Sequence, residues 1–421
     1  TYTVGDLTTS GGAVIPRRRL QLFQMLPLKH GQRCIADALS PLTYGTVEAS
    51  KDRNSVLWVE IAVPAAAAPG VYSGAVDFYA GDRRVDTVPF ALEIEPSRLQ
   101  AEGQMELNVW QSWSAVAKYH DLEPFSQQWW KTVDAYLRLL GGIGQDVVQV
   151  GRQYVTFRRV AEGEYQFDFS NFDRYVRLCA DVGIDGPIEY LAMMNTAGPT
   201  SVFFRDETGA LVSIDAEPGD EMYDEVWLAF LRLLVRHCEK QGWKGRLRIF
   251  IADRPQQQHA DRFMHAASLV QRTDESLRTG ATFDDAAVAE SLQSSVDRMV
   301  VPLYASDPRM ATFIEQSIAQ GAAPGCYFHE TGAGSGDIAE KTMYDVATDA
   351  SNRGFSGLLL SNFARWPDDL AQTADGYESA AKMNALVYPS DTGPRSSVQL
   401  QRLMLGLQTA VARHSSGSQK K

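Results

Sequence analysis

Residues 226–255 read VWLAFLRLLVRHCEKQGWKGRLRIFIADRP, and this stretch decides the fold class. Its first half has apolar residues at helical spacing, namely Val226, Phe230, Leu233, Leu234 and Cys238. Its second half contains Arg248–Ala252, an apolar run with the length of a buried strand. A helix followed at once by a buried strand is the repeating unit of an α/β fold, so we expect the neighbouring sequence to continue this alternation.

The alternation continues through most of the chain beyond residue 105. Strand-like apolar runs lie at Glu106–Trp110, Asp146–Val150, Pro187–Leu191, Arg248–Ala252, Leu277–Thr282, Arg298–Leu303, Gly325–Phe328 and Gly357–Leu360. Most of the intervals carry helical patterns, as at Trp129/Val133/Tyr136/Leu137/Leu140 and Phe172/Tyr175/Val176/Cys179. Eight strands in about 260 residues predict a (β/α)8 TIM-type barrel. Because Phe283–Asp297 is a short connection between the fifth and sixth strands, an open α/β sheet stays as the alternative.

The N-terminal part of the chain has a different pattern. Extended segments with period-2 alternation lie at Val56–Val63, Tyr72–Tyr79 and Arg84–Ile94, and turn sequences separate them. The fold class is therefore α/β plus all-β. We predict an N-terminal β-sandwich over residues 1–96, a (β/α)8 catalytic barrel over residues 97–414, and a disordered tail over residues 415–421.

The composition excludes several classes of partner. Hydrophobic residues make up 44% of the 421 residues, enough to bury a large core, and the formal net charge is −12. An acidic chain repels the phosphates of nucleic acids and anionic membranes, so we expect neither as a partner. The longest apolar stretches have only strand length, so we expect no membrane span. The sequence does not specify an oligomeric state.

The cysteines and the first residue bear on cofactors and compartment. Cys34, Cys179, Cys238 and Cys326 lie far apart and lack metal-ligand spacing. We therefore expect buried apolar thiols and no metal or organic cofactor. Because residue 1 is Thr rather than Met, two locations stay open: secreted or periplasmic after removal of a signal peptide, and cytoplasmic.

In a barrel of this kind the chemistry lies where the strands end, because the loops after the strands form its C-terminal face. The residues at the predicted strand ends are Trp110, Gln111, Arg152, Gln153, Glu189, Tyr190, Asp253, Arg254, Tyr304, His329, Glu330, Asn362 and Trp366. Aromatic rings stack on sugars, and pairs of carboxylates catalyse glycoside hydrolysis. This set therefore predicts a carbohydrate substrate.

Several stretches, taken together and in order, resemble glycoside hydrolase family 123 over nearly the whole chain. They are Trp58–Pro64, Ala68–Gly74, Leu107–Gln111, Ala115–Tyr119, Glu123–Ser126, Tyr165–Phe169, Phe172–Tyr175, Lys240–Trp243 and Val387–Ser390. The resemblance implies a relative of β-N-acetylgalactosaminidases with a β-sandwich and a (β/α)8 barrel. It also implies a catalytic Asp-Glu pair at the end of the fourth strand, in which the Asp orients the substrate's acetamido group and the Glu protonates the leaving oxygen.

The catalytic pair is altered in this sequence. The relatives that it most resembles read Asp-Glu-Arg-Pro, whereas this chain reads Ala252-Asp253-Arg254-Pro255. Aligned without a gap, Ala252 replaces the orienting Asp and Asp253 replaces the acid Glu. Aligned with a gap, Asp253 keeps the orienting position and Arg254 replaces the acid. We prefer the ungapped alignment, because Arg254 and Pro255 then both match.

Without a carboxylate at position 252, we expect a two-carboxylate mechanism rather than acetamido-assisted hydrolysis. Asp253 is the predicted general acid, Glu330 after the seventh strand is its partner, and Glu189 after the third strand is the reserve. The predicted substrate-binding residues are Trp110, Gln111, Arg152, Gln153, Tyr190, Arg254, Tyr304, His329, Asn362 and Trp366.

The leading function is therefore a glycoside hydrolase that cleaves a glycosidic bond in a poly- or oligosaccharide. One alternative is a non-catalytic carbohydrate-binding protein that kept the cleft and lost the acid pair. Another is a β-N-acetylhexosaminidase, such as a β-N-acetylgalactosaminidase, whose missing carboxylate comes from a different loop. The sequence leaves the sugar, the linkage and the stereochemical outcome open.

Overall fold

The computed structural model describes residues 1–30, 33–42, 45–47, 54–96, 99, 105–161, 163–206, 208–328, 341–361, 363–373, 376–379 and 385–418. The chain divides into two compact units. Unit 1 comprises Thr1–Gly103 and Trp366–Lys421, and unit 2 comprises Gln104–Arg365. This division differs from the predicted one, because residues 366–414 cluster with unit 1 rather than with the barrel.

The N-terminal part of unit 1 is built from β-strands. They are β1 (Tyr2–Val4), β2 (Leu7–Thr8), β3 (Val14–Ile15), β4 (Leu20–His30), β5 (Arg33–Pro41), β6 (Leu57–Ile61), β7 (Gly70–Ala80) and β8 (Arg83–Ile94). One sheet has the order β1-β7-β2-β3 with β8 also paired to β7, and the other forms around β4. Leu7, Ile15 and Tyr72 of the first sheet are buried against Leu20 and Ile61 of the second. The two sheets thus share an apolar core, as in a sandwich.

Unit 2 contains a nearly closed parallel barrel. Its strands are β9 (Glu106–Val109), β10 (Val148–Val150), β11 (Thr156–Ala161), β12 (Glu164–Asp168), β13 (Ile188–Tyr190), β14 (Ser201–Arg205), β15 (Leu211–Asp215), β16 (Leu247–Asp253), β17 (Arg278–Thr282), β18 (Arg298–Pro302), β19 (Gly325–Phe328) and β20 (Gly357–Leu360). Eight of them pair in the order β10-β13-β16-β17-β18-β19-β20-β9. The predicted TIM-type barrel is confirmed, with all eight predicted strands present.

Side chains join the two strands at the barrel seam. No strand ladder connects β9 to β10 in the described part of the barrel. Instead, the backbone N–H of Leu107 donates to Asp146 Oδ2 at 2.7 Å, and that of Val109 donates to Gln145 Oε1 at 2.7 Å. Farther along, the N–H of Gln111 donates to Gln149 Oε1 at 3.0 Å. These bonds satisfy backbone groups that would otherwise form an open sheet edge.

Helices follow most of the barrel strands. They are α1 (Trp113–Tyr119), α2 (Gln127–Gly142), α3 (Ser170–Asp181), α4 (Glu221–Gln241), α5 (Ala260–Thr273), α6 (Ala286–Leu292), α7 (Pro308–Ala319) and α8 (Met343–Asn352). Their buried faces match the apolar spacing of the sequence; in α3 the buried residues are Phe172, Tyr175, Val176 and Cys179. The connection Phe283–Asp297, whose shortness left an open α/β sheet as the alternative, contains the helix α6.

A small sheet in unit 2 was not predicted. β12, β11, β14 and β15 pair in that order beside the barrel strands, and they come from the loops after β10 and β13. Its register is antiparallel within the hairpins β11–β12 and β14–β15. The sheet therefore builds up the C-terminal face of the barrel near the second and third strands.

The C-terminal segment of the chain completes unit 1. Its elements are β21 (Ala371–Thr373), β22 (Gly376–Glu378), β23 (Val387–Tyr388), β24 (Arg395–Ser396) and α9 (Val398–Ser418). β22 pairs in parallel with β4, and the hydroxyl of Tyr388 donates to Asp37 Oδ2 at 2.6 Å. These backbone and side-chain bonds explain why the segment belongs to unit 1. Residues 415–418 are helical rather than disordered, which corrects part of the predicted tail.

The cysteines differ in exposure. Cys179, Cys238 and Cys326 are buried as expected, whereas Cys34 is exposed, and all four are free. Within the described ranges, no helix combines the length and the apolar character that crossing a bilayer requires.

Candidate active site

A cleft of about 280 Å³ lies at the C-terminal ends of the barrel strands. The described residues that line it are Trp110, Gln111, Ser112, Gln149, Asp253, Arg254, Thr282, Tyr327, Phe328, Leu359, Ser361 and Arg365. The structure thus brings together four of the predicted site residues: Trp110, Gln111, Asp253 and Arg254. This end of the barrel is where TIM-barrel enzymes carry out their chemistry.

Asp253 is the last residue of β16 and is held by residues on both sides. Its Oδ1 accepts a hydrogen bond of 2.5 Å from the hydroxyl of Thr282, the last residue of β17. Its Oδ2 lies 3.3 Å from Nη2 of Arg254, and its side chain remains 40% exposed. The carboxylate is therefore oriented by two donors and still accessible from the cleft.

Arg254 has an uncommon backbone conformation. Its φ is +48°, in the left-handed region that non-glycine residues rarely adopt. Its N–H donates to both the carbonyl oxygen and the hydroxyl of Thr282, at 3.1 and 2.9 Å. These bonds hold the strained turn directly after Asp253, and such strain is typical of functional sites.

A second carboxylate, Asp284, lies two residues beyond β17. Burial raises the pKa of the Asp284 carboxyl, the Arg254 guanidinium lowers it, and the negative charge of Asp253 raises it. Tyr327 belongs to the same group of residues: burial raises the pKa of its hydroxyl, and the charges of Asp284 and Asp253 raise it further. Asp253, Asp284, Arg254 and Tyr327 are therefore electrostatically coupled at the ends of three barrel strands.

Trp110 and Gln111 form one wall of the cleft. The Trp110 ring meets the Phe250 ring edge to face, with centroids 5.6 Å apart. Trp110 Nε1 and Gln111 Oε1 are buried and have no hydrogen-bond partner among the described residues. A donor and an acceptor beside an aromatic ring are suited to sugar hydroxyls.

Three other predicted residues line a second, larger space, which we call the lateral cavity. Arg152, Gln153 and Tyr190 lie on its wall, and its volume is about 920 Å³. The lateral cavity shares Gln111 and Gln149 with the cleft.

Glu189 lies inside the barrel instead of at the cleft. Its carboxylate accepts from Arg248 Nε at 2.7 Å and from Asn108 Nδ2 at 2.8 Å, and the side chain is only 3% exposed. Arg248 precedes Asp253 by five residues on β16, which at about 3.3 Å per residue separates the two levels by about 16 Å. Arg248 is thus the ion-pair partner of Glu189, and this buried setting supports a structural role for Glu189.

Two further predicted residues, Tyr304 and Trp366, are not among the described residues that line the cleft. The hydroxyl of Tyr304 donates to Asp349 Oδ2 at 2.7 Å, and Tyr304 is absent from the cleft lining described above. Trp366 belongs to unit 1, where its Nε1 donates to the carbonyl of Val387 at 2.8 Å. His329, Glu330 and Asn362 lie outside the described residues.

Several residues of this region were not predicted from the sequence. Thr282 is the last residue of β17 and lines the cleft, and Asp284 lies two residues beyond it, so both lie where the end of a barrel strand indicates a site. Tyr327 lies within β19 and reaches the cleft before the strand ends, so the position of the strand end could not indicate it. Across the described residues, no group of three His, Cys, Asp or Glu side chains could hold a metal ion.

The model of the glycoside hydrolase family 123 catalytic domain matches residues 110–412. The chain belongs to glycoside hydrolase family 123. It is therefore a glycosidase with a carbohydrate substrate, as the resemblance and the cleft residues predicted. A sequence search of curated proteins finds no match.

Solved structures of glycosidases share the fold. A family 123 glycoside hydrolase from Clostridium perfringens, studied for glycolipid glycan hydrolysis, matches with a TM-score of 0.79 at 17% identity, over 98% of this chain and 78% of that one. A family 39 glycoside hydrolase from Bacteroides cellulosilyticus matches with a TM-score of 0.43 at 9% identity, over 97% and 80% of the two chains. The first match supports the fold of this family 123 member, and the second is too distant to carry an argument.

Proposed function

We propose that this family 123 glycosidase hydrolyses a glycosidic bond of an oligo- or polysaccharide with Asp253 and Asp284 as its two catalytic carboxylates. The observation that carries the proposal is that the two acids follow adjacent barrel strands and act electrostatically on the same Arg254 and Tyr327. Glycoside hydrolysis needs such a pair, one group to protonate the leaving oxygen and one to act at the anomeric carbon.

Asp284 is suited to the role of general acid. Burial, together with the charge of Asp253, raises the pKa of its carboxyl, so it keeps its proton to higher pH than an ordinary aspartate. As the glycosidic C–O bond breaks, Asp284 donates this proton to the leaving oxygen. The leaving sugar then departs as a neutral alcohol.

Asp253 is suited to the complementary role. It accepts hydrogen bonds from Thr282 and Arg254, two donors that hold its carboxylate in a fixed orientation at the cleft. From this position Asp253 acts on the opposite side of the anomeric carbon. Depending on the separation of the two carboxyl groups, it attacks that carbon or takes a proton from the attacking water, with retention or inversion respectively.

The surroundings of Ala252 support two carboxylates over acetamido assistance. Ala252 is fully buried in β16 and carries no group that could orient a substrate amide. The proposal reverses the role that the sequence predicted for Asp253. The predicted partner Glu330 lies outside the described residues and stays a prediction.

Three variants test the assignment: Asp253→Asn, Asp284→Asn and Glu330→Gln. Each is assayed on oligosaccharides and on para-nitrophenyl glycosides, whose leaving group needs little protonation. Loss of the general acid costs about 10²–10⁴-fold on oligosaccharides. We expect Asp284→Asn to recover on the activated substrate and Asp253→Asn to stay inactive on both. Glu290→Gln, on an exposed position of α6, is the matched control.

Other outcomes are equally informative. If Asp253→Asn recovers activity on the para-nitrophenyl glycosides and Asp284→Asn does not, Asp253 is the general acid, as predicted from the sequence. If Glu330→Gln is inactive and Asp284→Asn has normal activity, the second catalytic carboxylate is Glu330 and not Asp284. A wild-type protein that binds sugars but hydrolyses none of them would favour the non-catalytic alternative.

A further inference from the structure

The lateral cavity is large enough for more than one sugar unit. Its volume of about 920 Å³ lies at the upper end of the range of about 300–1,000 Å³ for ligand sites. Because Gln111 and Gln149 line both this cavity and the cleft, the two spaces adjoin at a common wall. A glycan held in the cleft can therefore extend into the lateral cavity.

The charge of the lateral cavity is opposite to that of the chain. The chain has 52 acidic and 40 basic residues. The described residues that line the lateral cavity nevertheless include two arginines, Arg152 and Arg205, and neither Asp nor Glu. A positively charged pocket within an acidic protein attracts an anionic ligand.

Arg152 is held in a geometry that leaves its donors available. Its guanidinium lies over the Phe203 ring, with the central carbon 3.7 Å from the ring centroid. The guanidinium forms no ion pair or hydrogen bond with any of the residues that the structure describes. A stacked guanidinium keeps its N–H edge free for bidentate bonding to a carboxylate.

Tyr190 supplies a second unsatisfied group in the same wall. Its side chain is 1% exposed, and its hydroxyl has no hydrogen-bond partner among the described residues. Burial raises the pKa of this hydroxyl and the charge of Arg152 lowers it, so the two groups are close enough to interact. A buried hydroxyl without a partner is costly unless a ligand or water satisfies it.

We propose that the lateral cavity binds a uronic acid unit of the substrate, with the sugar carboxylate held by the guanidinium of Arg152 and the hydroxyl of Tyr190. This inference rests on the proposed function, because it extends the same substrate beyond the cleft. It makes the enzyme selective for acidic glycans. Neutral glycans of the same length bind without these bonds.

The test is a binding measurement that does not depend on hydrolysis. Hexamers of hyaluronan, alginate and polygalacturonate are titrated calorimetrically into wild type and Asp253→Asn, each beside its carboxyl-reduced, neutral counterpart. We expect at least one acidic hexamer to bind about 10- to 100-fold more tightly than its counterpart, the worth of a charge-assisted pair. Arg152→Ala should abolish that preference and leave affinity for the neutral hexamer unchanged.

Matched variants sharpen the result. Tyr190→Phe should weaken the acidic hexamer several-fold, and Arg152→Lys should recover only part of the preference because it lacks the planar fork. Arg236→Ala, on an exposed position of α4, should have no effect. Equal affinity for acidic and neutral hexamers throughout the panel would overturn the inference, as would a preference that survives Arg152→Ala.

The last set of ligands to be titrated consists of sulfated oligosaccharides that contain no uronic acid. If these bind through Arg152 while the uronate hexamers do not, the cavity recognises sulfate instead and the uronate assignment is wrong. Failure of the catalytic proposal is seen separately, as normal turnover of Asp253→Asn and Asp284→Asn, and it leaves the binding measurements unaffected.

Discussion

The hydroxyl of Thr282 lies 2.5 Å from Oδ1 of Asp253 and joins the ends of the fourth and fifth barrel strands at the cleft. The same hydroxyl also accepts from the N–H of Arg254 at 2.9 Å. A single side chain thus fixes both the carboxylate and the strained turn that follows it. The position of the Asp253 carboxylate therefore depends on this bond as well as on β16.

Thr282→Val should lower kcat far more than it lowers stability. Valine keeps the shape but removes the hydroxyl, so we expect a loss of about 1 kcal/mol in the free energy of unfolding. Misplacement of the carboxylate should lower kcat by about 10- to 100-fold. Thr279→Val is the matched control, because the Thr279 hydroxyl donates to Asp297 at the other end of β17. Equal activity of the two variants would contradict this prediction.

Glu189→Gln should lower stability and leave turnover unchanged. The substitution leaves Arg248 inside the barrel with less compensating charge, and breaking a buried ion pair costs about 3–5 kcal/mol. Urea unfolding measures this loss, and kcat per folded molecule measures the chemistry. Loss of turnover with normal stability would instead support Glu189 as a catalyst.

Asp284→Asn should stabilise the protein near neutral pH. Because its pKa is raised in the fold, Asp284 contributes stability that is fully present below the ordinary value of 3.8 and is lost as pH rises through the raised value. Asparagine is neutral throughout, so the variant should gain Tm relative to wild type as pH increases. Thermal unfolding between about pH 3 and pH 7 tests the sign. A constant difference in Tm across this range would refute it.

Gly357→Ala should destabilise the barrel. A Cβ at Gly357 would lie 2.8 Å from the carbonyl oxygen of Glu106 and would also meet the guanidinium of Arg298. The backbone oxygen cannot move aside, so overpacking should cost about 1–3 kcal/mol of unfolding free energy. Gly245→Ala is the control, since nothing lies within 4 Å of its added Cβ. Chemical unfolding of both variants measures the difference.

The barrel could be predicted from the sequence because its strands and helices differ in apolar periodicity. The buried run before Asp253 and the helical spacing from Val226 to Cys238 are local signals, and local signals suffice for elements of this kind. The C-terminal segment could not be assigned in this way. β22 pairs with β4, and Tyr388 bonds to Asp37, so its partners are distant in sequence and leave no periodic pattern.

The residues of the candidate site show the same difference between local sequence signals and contacts that are distant in sequence. Asp253, Arg254 and Trp110 lie at or directly after strand ends and were predicted from position. Glu189 lies in the middle of the short strand β13, and its role depends on Arg248, which faces it from a neighbouring strand. The importance of Asp284 arises from the charges of Arg254 and Asp253 near it. Such relationships exist only once the strands are assembled.

The barrel seam has a consequence for how substrate and fold are linked. Between β9 and β10, the N–H of Gln111 is held by the side chain of Gln149, and these two residues also form the wall between the cleft and the lateral cavity. A glycan that spans both spaces would therefore lie across the seam between β9 and β10, which lacks the β-ladder that joins the other neighbouring barrel strands in the described residues. The amide protons of Val109 and Gln111 should exchange with solvent more slowly when the glycan is bound, because the bound substrate stabilises the barrel at this seam.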